Sequence, residues 1–255
     1  MNLKHYLNII FYRAYTFLKV DASSGLIGTL VWIVEPVLYL GAFYLIFSVL
    51  NIRGGEDAIP FLLPGLVVWK WFASSVYRGG ISIESSAGVI QQLYIPKHVL
   101  LLSVLLSSFY QFIIVFIFLL TFFLFYGLQV TFYWLYLIPL VFIQFLLILG
   151  VAGVFSVFIP FLPELKMIIR NGLTLVFFLS GIFFEVNQAS QKIQTILYLN
   201  PMAILVEAYR MVFIENTSPD WVPIGYVAIF SVFMVSIAAF FLKKWDRHFS
   251  KILSV

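Results

Sequence analysis

The chain has 255 residues, of which 63% are hydrophobic, 19% aromatic and only 10% charged, with a formal net charge of +4. A soluble domain is about 45–50% apolar and about 25% charged, so this composition excludes a soluble enzyme, and it also excludes disorder, which needs high charge. The absence of cysteine excludes disulfides and thiolate chemistry, and three scattered histidines give no metal cluster. We therefore expect a single-domain, all-α polytopic membrane protein.

Residues 1–24 contain the first predicted element, an amphipathic helix that lies flat in the membrane interface. Apolar residues recur at helical spacing along 3–19, and Lys4, Asn8 and Lys19 fall on another face. The same charges interrupt any apolar core, which excludes a signal peptide. Two roles stay open for this helix: a simple anchor for the first span, or a specific docking element.

Six segments approach or exceed the roughly 20 apolar residues that a membrane-spanning helix needs. Spans one and two lie within 25–83, spans three to five within 99–184, and span six with a tail within 222–255. The individual spans are predicted at 25–50, 60–83, 99–126, 131–159, 167–184 and 222–242.

The distribution of lysine and arginine predicts the orientation. Three of these residues lie in one set of loops (Arg53, Lys192 and Arg210), and two of the 15 lie within the second span (Lys70 and Arg78). The opposite set holds ten: Lys4, Arg13, Lys19, Lys97, Lys166, Arg170, Lys243, Lys244, Arg247 and Lys251. By the positive-inside rule, we expect a multi-pass membrane protein with both termini cytoplasmic.

Three ionisable side chains fall within predicted spans, namely Glu35, Lys70 and Arg78. Each costs about 2.5–3.5 kcal/mol at the bilayer centre, so the expected position is the bundle interior or a watery cavity. Snorkelling to the interface is the alternative for Arg78, near the end of its span. Tyrosine and tryptophan are expected at the interfaces, as at Tyr133–Tyr136 and at Trp69 and Trp71, although some could instead line a sugar pathway.

The segment 84–98, ESSAGVIQQLYIPKH, is the most polar connection on the predicted cytoplasmic side. Pro96 should end or bend any helix here. We expect a short helix that docks a soluble partner, and the alternative is an ordinary solvated loop. The candidate docking residues are Gln91, Gln92, Tyr94, Pro96, Lys97 and His98.

The segment 185–221 is predicted as a re-entrant or interfacial helical hairpin on the outer face, between spans five and six. Asn200 followed by Pro201 is typical of a helix start, with asparagine as the cap and proline at the first helical position. The apolar stretch is too short to cross the membrane. Glu207 and Arg210 are three residues apart, so they can pair on one helix face.

Several motifs are missing from the sequence. Gly54-Gly55 is not followed by the Lys-Ser/Thr of a phosphate-binding loop, and no nucleophile elbow, metal motif or internal repeat is present. We therefore expect no catalytic residue, no metal and no cofactor bound by this chain. A membrane-embedded transferase and an ion-coupled carrier that uses Glu35 and Lys70 remain alternatives from other classes.

The order of these parts resembles the permease subunit of ABC-2-type exporters, and the resemblance covers almost the whole chain. Residues 61–83 look like the second span of that family, VIQQLYIPKHVLLLS (89–103) like its coupling region, and FFLSGIFF (177–184) with LNPMAILVEAYRMVF (199–213) like its outer signature. Gly181 stands where the family usually has proline. Within the family, the chain is most similar to permeases for lipid-linked O-antigen or teichoic-acid polysaccharides.

This resemblance implies two copies of the chain with two ATPase subunits that carry the ATP and magnesium, and it implies no nucleic acid. The segment 89–98 would sit in a groove of the ATPase. The cargo would be a lipid-linked polysaccharide that moves from the cytoplasm to the outer side of the membrane, or alternatively a drug, an antibiotic or a lipid. The candidate residues of the outer exit are Asn200, Pro201, Glu207 and Arg210.

Overall fold

The computed structural model describes residues 3–22, 58–92 and 95–246, together with Phe249 and isolated helical positions between 34 and 45. Every regular element among these residues is helical. The principal helices are α1 (Leu3–Ala22), α2 (Ala58–Gly80), α3 (Ala87–Gln92), α4 (Lys97–Tyr126), α5 (Leu137–Phe158), α6 (Leu165–Phe178), α7 (Gln191–Leu197), α8 (Pro201–Arg210) and α9 (Trp221–Trp245). Short 3-10 turns precede α3, α5 and α7, at Glu84–Ser86, Phe132–Tyr136 and Val186–Gln188, and a π-helical turn, Met211–Glu215, extends α8.

Four helical segments in the described part of the chain are long and apolar enough to cross a membrane: α2, α4, Phe132–Phe158 and α9. A fifth is reached if α7 and the extended α8 count as one broken span, since they are bent by 102°. The chain is therefore a multi-pass membrane protein. The predicted spans at 60–83, 99–126, 131–159 and 222–242 match these four helices to within a few residues, whereas the predicted first span, 25–50, lies largely outside the described residues.

The predicted fifth span, 167–184, differs from the structure. The helix α6 ends at Phe178 after 14 residues. At 1.5 Å per residue this is about 21 Å, which is shorter than the roughly 30 Å hydrocarbon core. The residues that follow form a turn in which Gly181 has a φ of +67°, a value that no proline can adopt. The departure from the usual proline at this position therefore has a conformational basis.

The helix α2 is the centre of the bundle, and it packs against α4, α5, α6 and α8. Trp69 and Trp71 are buried in this core rather than at an interface, which corrects the prediction from their residue type. The indole of Trp71 stacks on Phe112 of α4 at a centroid distance of 3.9 Å. Buried Gln144 of α5 donates a 2.8 Å hydrogen bond to the carbonyl of Val68, which links α5 to α2 inside the bundle.

Small residues allow α5 and α9 to approach closely. A Cβ atom added at Gly150 would lie 2.6 Å from Cβ of Met234 and 3.0 Å from the backbone nitrogen of Val235. One turn further along, a Cβ atom at Gly153 would lie 2.7 Å from Cβ of Ala238. In lipid, where helices gain little from the hydrophobic effect, this close van der Waals packing is a main source of association.

The first helix, α1, confirms the predicted helix over 3–19 and packs against α4. Ile10 and Ala14 are buried on its packed face. Tyr6 contacts the ring of His98 edge-on, at a centroid distance of 6.0 Å. Leu7 and Phe11 are about half exposed on the remaining surface. The helix therefore has one face for the bundle and a second apolar surface, which suits the proposed interfacial position.

The bundle has two distinct ends. At the hairpin end, Phe61 at the start of α2 meets Arg210, and Tyr136 before α5 meets Trp221 at the start of α9. At the coupling end, the opposite ends of these helices meet the segment 84–98, the start of α6 and α1.

Candidate functional sites at the two ends of the bundle

The coupling end is built around the segment 84–98. A turn at Glu84–Ser86 leads into the short helix α3, and Pro96 precedes the first residue of α4. The predicted helix break at Pro96 is therefore confirmed. Gln91 and Gln92 at the end of α3 are exposed, which suits the predicted contact with a partner. Tyr94, the other candidate from the same stretch, lies outside the described residues.

Lys97 has a different environment from the one predicted for a docking residue. Its side chain is only 1% exposed, and its ammonium nitrogen lies 3.9 Å from Oδ1 of Asp246. The backbone N–H of Lys97 also donates to that oxygen, at 3.3 Å. Lys97 thus fastens the end of the coupling segment to the end of α9, while the next residue, His98, is exposed beside α1.

A second ion pair fastens the start of the same segment. The ammonium group of Lys166 lies 2.8 Å from Oε1 of Glu84, and both side chains are partly exposed. This hydrogen bond raises the pKa of Lys166. One turn along α6, Arg170 donates a 3.0 Å hydrogen bond to the hydroxyl of Tyr77 in α2. The coupling segment is therefore tied to α6 at one end and to α9 at the other.

Sequence reasoning did not pair these residues. Glu84 and Asp246 are two of the four acidic residues in the predicted cytoplasmic segments, together with Asp21 and Glu164. The small number of acids is the sequence signal for these pairs, because a buried lysine in a region with few carboxylates has few residues to pair with.

The three ionisable residues predicted within spans are not brought together. Arg78 donates a 3.2 Å hydrogen bond from Nη1 to Oε1 of Gln111, which links α2 to α4 near the coupling end. Lys70 is half-buried, just over two helical turns earlier on α2. Glu35 lies outside the described residues. Among the residues that the structure does describe, no group of three His, Asp or Glu side chains could hold a metal ion.

The hairpin end confirms the predicted start of the outer helix. Asn200 caps α8 by accepting a 3.0 Å hydrogen bond from the backbone N–H of Met202, and Pro201 occupies the first turn. The same amide donates from Nδ2 to the carbonyl of Leu179, at 3.2 Å, and to the hydroxyl of Ser180, at 3.0 Å. Asn200 therefore joins the corner of the hairpin to the turn after α6.

Arg210 binds the next two residues of that turn. Its Nη1 and Nη2 atoms each donate a 2.6 Å hydrogen bond, to the carbonyls of Gly181 and Ile182. Its Nε donates to the carbonyl of Phe61 at 3.0 Å, and the guanidinium carbon lies 3.6 Å from the centroid of the Phe61 ring. We call Asn200, Arg210 and the turn 179–182 the outer clamp. It joins the hairpin to α6 and α2.

Glu207 belongs to a separate network, so the predicted pairing with Arg210 is wrong. Its carboxylate accepts hydrogen bonds from Nδ2 of Asn187 at 2.7 Å and from the hydroxyl of Tyr198 at 2.8 Å. The helical spacing permits the pairing, but the carbonyls of the turn and the ring of Phe61 hold the guanidinium elsewhere. Glu207 instead closes the hairpin onto the loop before α7.

A cavity of about 740 Å³ opens between the hairpin and the first turns of α9. Its walls include the aromatic rings of Tyr198 and Tyr226 and the carboxylates of Glu207 and Glu215, together with apolar side chains such as Ile204 and Phe230. Groups of this kind are suited to polar ligands with hydroxyl or cationic groups. Of the four predicted exit residues, Pro201 and Glu207 line this cavity.

The chain is similar to known proteins over most of its length. A family described as ABC-2 type transporter matches residues 22–214. An "O-antigen export system permease protein RfbA" of Klebsiella pneumoniae is 26% identical over 238 residues, which cover 92% of this chain and 91% of that protein. A protein of the same name from Myxococcus xanthus is 24% identical over 236 residues, with the same coverage. The similarity thus includes both ends of the bundle.

Proposed function

The chain belongs to the ABC-2 type transporter family, and on that premise we propose that it is the permease subunit of an ATP-driven exporter of a lipid-linked polysaccharide. The observation that carries the cargo class is the near full-length similarity to permeases named for O-antigen export. A drug, an antibiotic or a lipid is the alternative cargo within the same family.

The proposal assigns ATP hydrolysis to a separate subunit. The sequence has no phosphate-binding loop, and 84–98 supplies the contact with the ATPase. Exposed Gln91 and Gln92 form the docking surface, and the pairs Glu84–Lys166 and Lys97–Asp246 support it from behind. A push on α3 is then passed to α6 and α9, because the segment is held to both.

The proposed assembly contains two copies of the chain and two ATPases in the inner membrane, with both termini cytoplasmic and six spans in each copy, of which α6 with the turn that follows it is a short fifth one. The contact of α1 with the start of α4, beside the end of α9, supports a position of both termini on the same side of the membrane. ATP binding would favour one conformation of the pathway only if the ATP-bound ATPase has a higher affinity for that conformation than for the other. The coupling segment is the contact at which the two affinities would differ.

The outer clamp takes the role of a gate support in this proposal. The turn 179–182 follows α6, and Lys166 in the first turn of α6 is held to the coupling segment. A movement that starts at the ATPase can therefore be transmitted along α6 to the turn that Arg210 and Asn200 bind. The hairpin is positioned to follow it at the exit.

The test is export in cells that make a lipid-linked polymer and lack the chromosomal copy of this chain. Full-length chain should restore polymer at the cell surface, but only with an ATPase partner whose nucleotide site is intact. Deletion of 91–97 should abolish surface polymer and leave lipid-linked polymer on the cytoplasmic side, with the chain still in the membrane. Normal export by the deletion variant would contradict the proposal. If cells that lack the chain export polymer normally, and the chain nevertheless stimulates the ATPase, the result would instead indicate the alternative cargo.

A further inference from the structure

A second cavity, of about 530 Å³, lies at the coupling end between α1, α4 and α9. Its base is apolar and is formed by side chains of three helices, among them Leu101, Leu102, Leu149, Val235 and Ala239. Its rim is polar and carries Tyr6, His98, Lys243 and Asp246. The cavity is distinct from the outer clamp and from the exposed face of α3.

The rim itself carries one ammonium group, Lys243, and one carboxylate, Asp246. The carboxylate of Asp246 is already engaged, because it accepts from the backbone N–H of Lys97 and lies 3.9 Å from its ammonium nitrogen. Lys243 is exposed one helical turn before it. The charge of Asp246 is thus compensated by Lys97, which is buried and does not line the cavity, and the ammonium of Lys243, the phenol of Tyr6 and the imidazole of His98 are the donors of the rim. A phosphate group fits this set of groups, whereas the added cation of a zwitterionic headgroup does not.

The shape of the cavity fits the apolar part of a phospholipid. An acyl chain needs an apolar groove that runs away from the interface, and the leucine and valine side chains of α4, α5 and α9 provide one. Tyr6 of the amphipathic helix α1 lines the cavity, and a helix of this kind lies at the level of the lipid headgroups. The cytoplasmic leaflet is the anionic one, so the ligand is abundant on this side.

We propose that this cavity binds an anionic phospholipid of the cytoplasmic leaflet, with its phosphate at Lys243, His98 and Tyr6 and an acyl chain along Leu102 and Leu149. The proposal rests on the proposed orientation of the chain but not on its cargo or its ATPase. The bound lipid would lie against Pro96 and His98, and so beside the coupling segment.

The experiment is lipid titration of the purified chain in detergent, read by native mass spectrometry, with dioleoyl-phosphatidylglycerol and dioleoyl-phosphatidylcholine as the two probes. The chain should bind phosphatidylglycerol more tightly. Lys243→Gln should weaken phosphatidylglycerol binding about fivefold, the effect of one basic residue near an anionic surface. The matched control is Lys244→Gln: this neighbour is also exposed, does not line the cavity, and has its ammonium 5.7 Å from the centroid of the Phe240 ring.

A cavity-filling variant separates the site from general surface charge. Ala239→Phe adds a ring to the wall and should reduce binding of both lipids while the protein elutes as the same species. Equal binding of the two lipids, or equal effects of Lys243→Gln and Lys244→Gln, would overturn the proposal. Because the titration needs neither ATPase nor polymer, its failure is distinguishable from failure of the exporter function.

Discussion

Arg210 and Phe61 interact twice: the guanidinium carbon lies 3.6 Å from the centroid of the Phe61 ring, and Nε donates a 3.0 Å hydrogen bond to the carbonyl of the same residue. The two residues are far apart in sequence, and their contact joins the hairpin to the first turn of the central helix. Because Arg210 is only 7% exposed, water cannot replace these contacts. The hairpin is therefore held by a buried cation whose remaining donors bind the turn after α6.

Replacement of Arg210 should destabilise the protein and stop export. Arg210→Gln loses charged hydrogen bonds to three carbonyls, each of which contributes about 1.5–3 kcal/mol, so we expect a loss of about 3 kcal/mol or more. Arg210→Lys should have a stability between those of the unchanged protein and Arg210→Gln, since the ammonium group of lysine cannot reach all three acceptors. Unfolding in mixed micelles measures the effect. Lys192→Gln, at an exposed position on α7, is the control and should be neutral. Equal stability of Arg210→Gln and Lys192→Gln would contradict this role.

The turn at Gly181 should not tolerate a side chain. Its φ of +67° costs a non-glycine residue about 1–2 kcal/mol, and an added Cβ would lie 2.9 Å from Cγ2 of Val186. We expect Gly181→Ala to lower thermal stability and to reduce surface polymer. Gly172→Ala on α6, where nothing lies within 4 Å, should keep or slightly raise stability. If both alanine variants melt at the same temperature, the turn is not conformationally restricted.

The contact between α5 and α9 should depend on Gly150. An added Cβ atom meets backbone atoms of α9 at 3.0–3.1 Å, which cannot move without displacing the helix. Overpacking of this kind costs about 1–3 kcal/mol. We expect Gly150→Ala to show that loss by thermal unfolding, and Gly88→Ala, which has open space, to show none. Tolerance of alanine at 150 would mean that the two helices are further apart.

The charge of Asp246 should matter more than its hydrogen bond. Asp246→Asn keeps an acceptor for the backbone N–H of Lys97 but leaves the buried ammonium without its counter-charge. Breaking a fully buried pair costs about 3–5 kcal/mol, and Asp246 is 21% exposed, so we expect about 1–3 kcal/mol. The double variant Lys97→Met with Asp246→Asn should recover most of this loss. Absence of recovery would show that the pair is not the cause.

The Glu84–Lys166 pair should affect coupling rather than stability. Both partners are partly exposed, so each single charge reversal should change the unfolding free energy by less than about 1 kcal/mol. Glu84→Lys should nevertheless reduce transport per ATP hydrolysed, because it places two cations together. The swap Glu84→Lys with Lys166→Glu should restore it. A single reversal with normal transport per ATP would remove this pair from the coupling path.

Residue patterns were sufficient for features that depend on local rules. The apolar length of α4 and α9, the cap at Asn200 and the stop at Pro96 follow from helix and bilayer physics, and they are all found. The grouping of 84–98 with the start of α6 and the end of α9 also follows, because successive spans must alternate in direction.

Features that depend on tertiary contacts were not accessible in the same way. Helical spacing permits Glu207 to pair with Arg210, but three carbonyls and a phenylalanine from distant segments hold the arginine instead. Tryptophan is commonly interfacial, yet Trp69 and Trp71 lie on the helix that becomes the centre of the bundle. The burial of Lys97 against Asp246 joins residues 149 positions apart, and no local pattern specifies that contact.

The most direct test of the account is site-directed crosslinking between this chain and its ATPase. The chain contains no cysteine, so single cysteines can be placed without removing any. Gln91→Cys and Gln92→Cys, carrying a short photoreactive group, should crosslink to the ATPase in membranes, and the yield should change on ATP binding. Lys192→Cys at the opposite end should give no ATPase product. Crosslinks absent from 91 and 92, or equally strong from 192, would contradict the proposal that the segment 84–98 couples this permease to ATP hydrolysis.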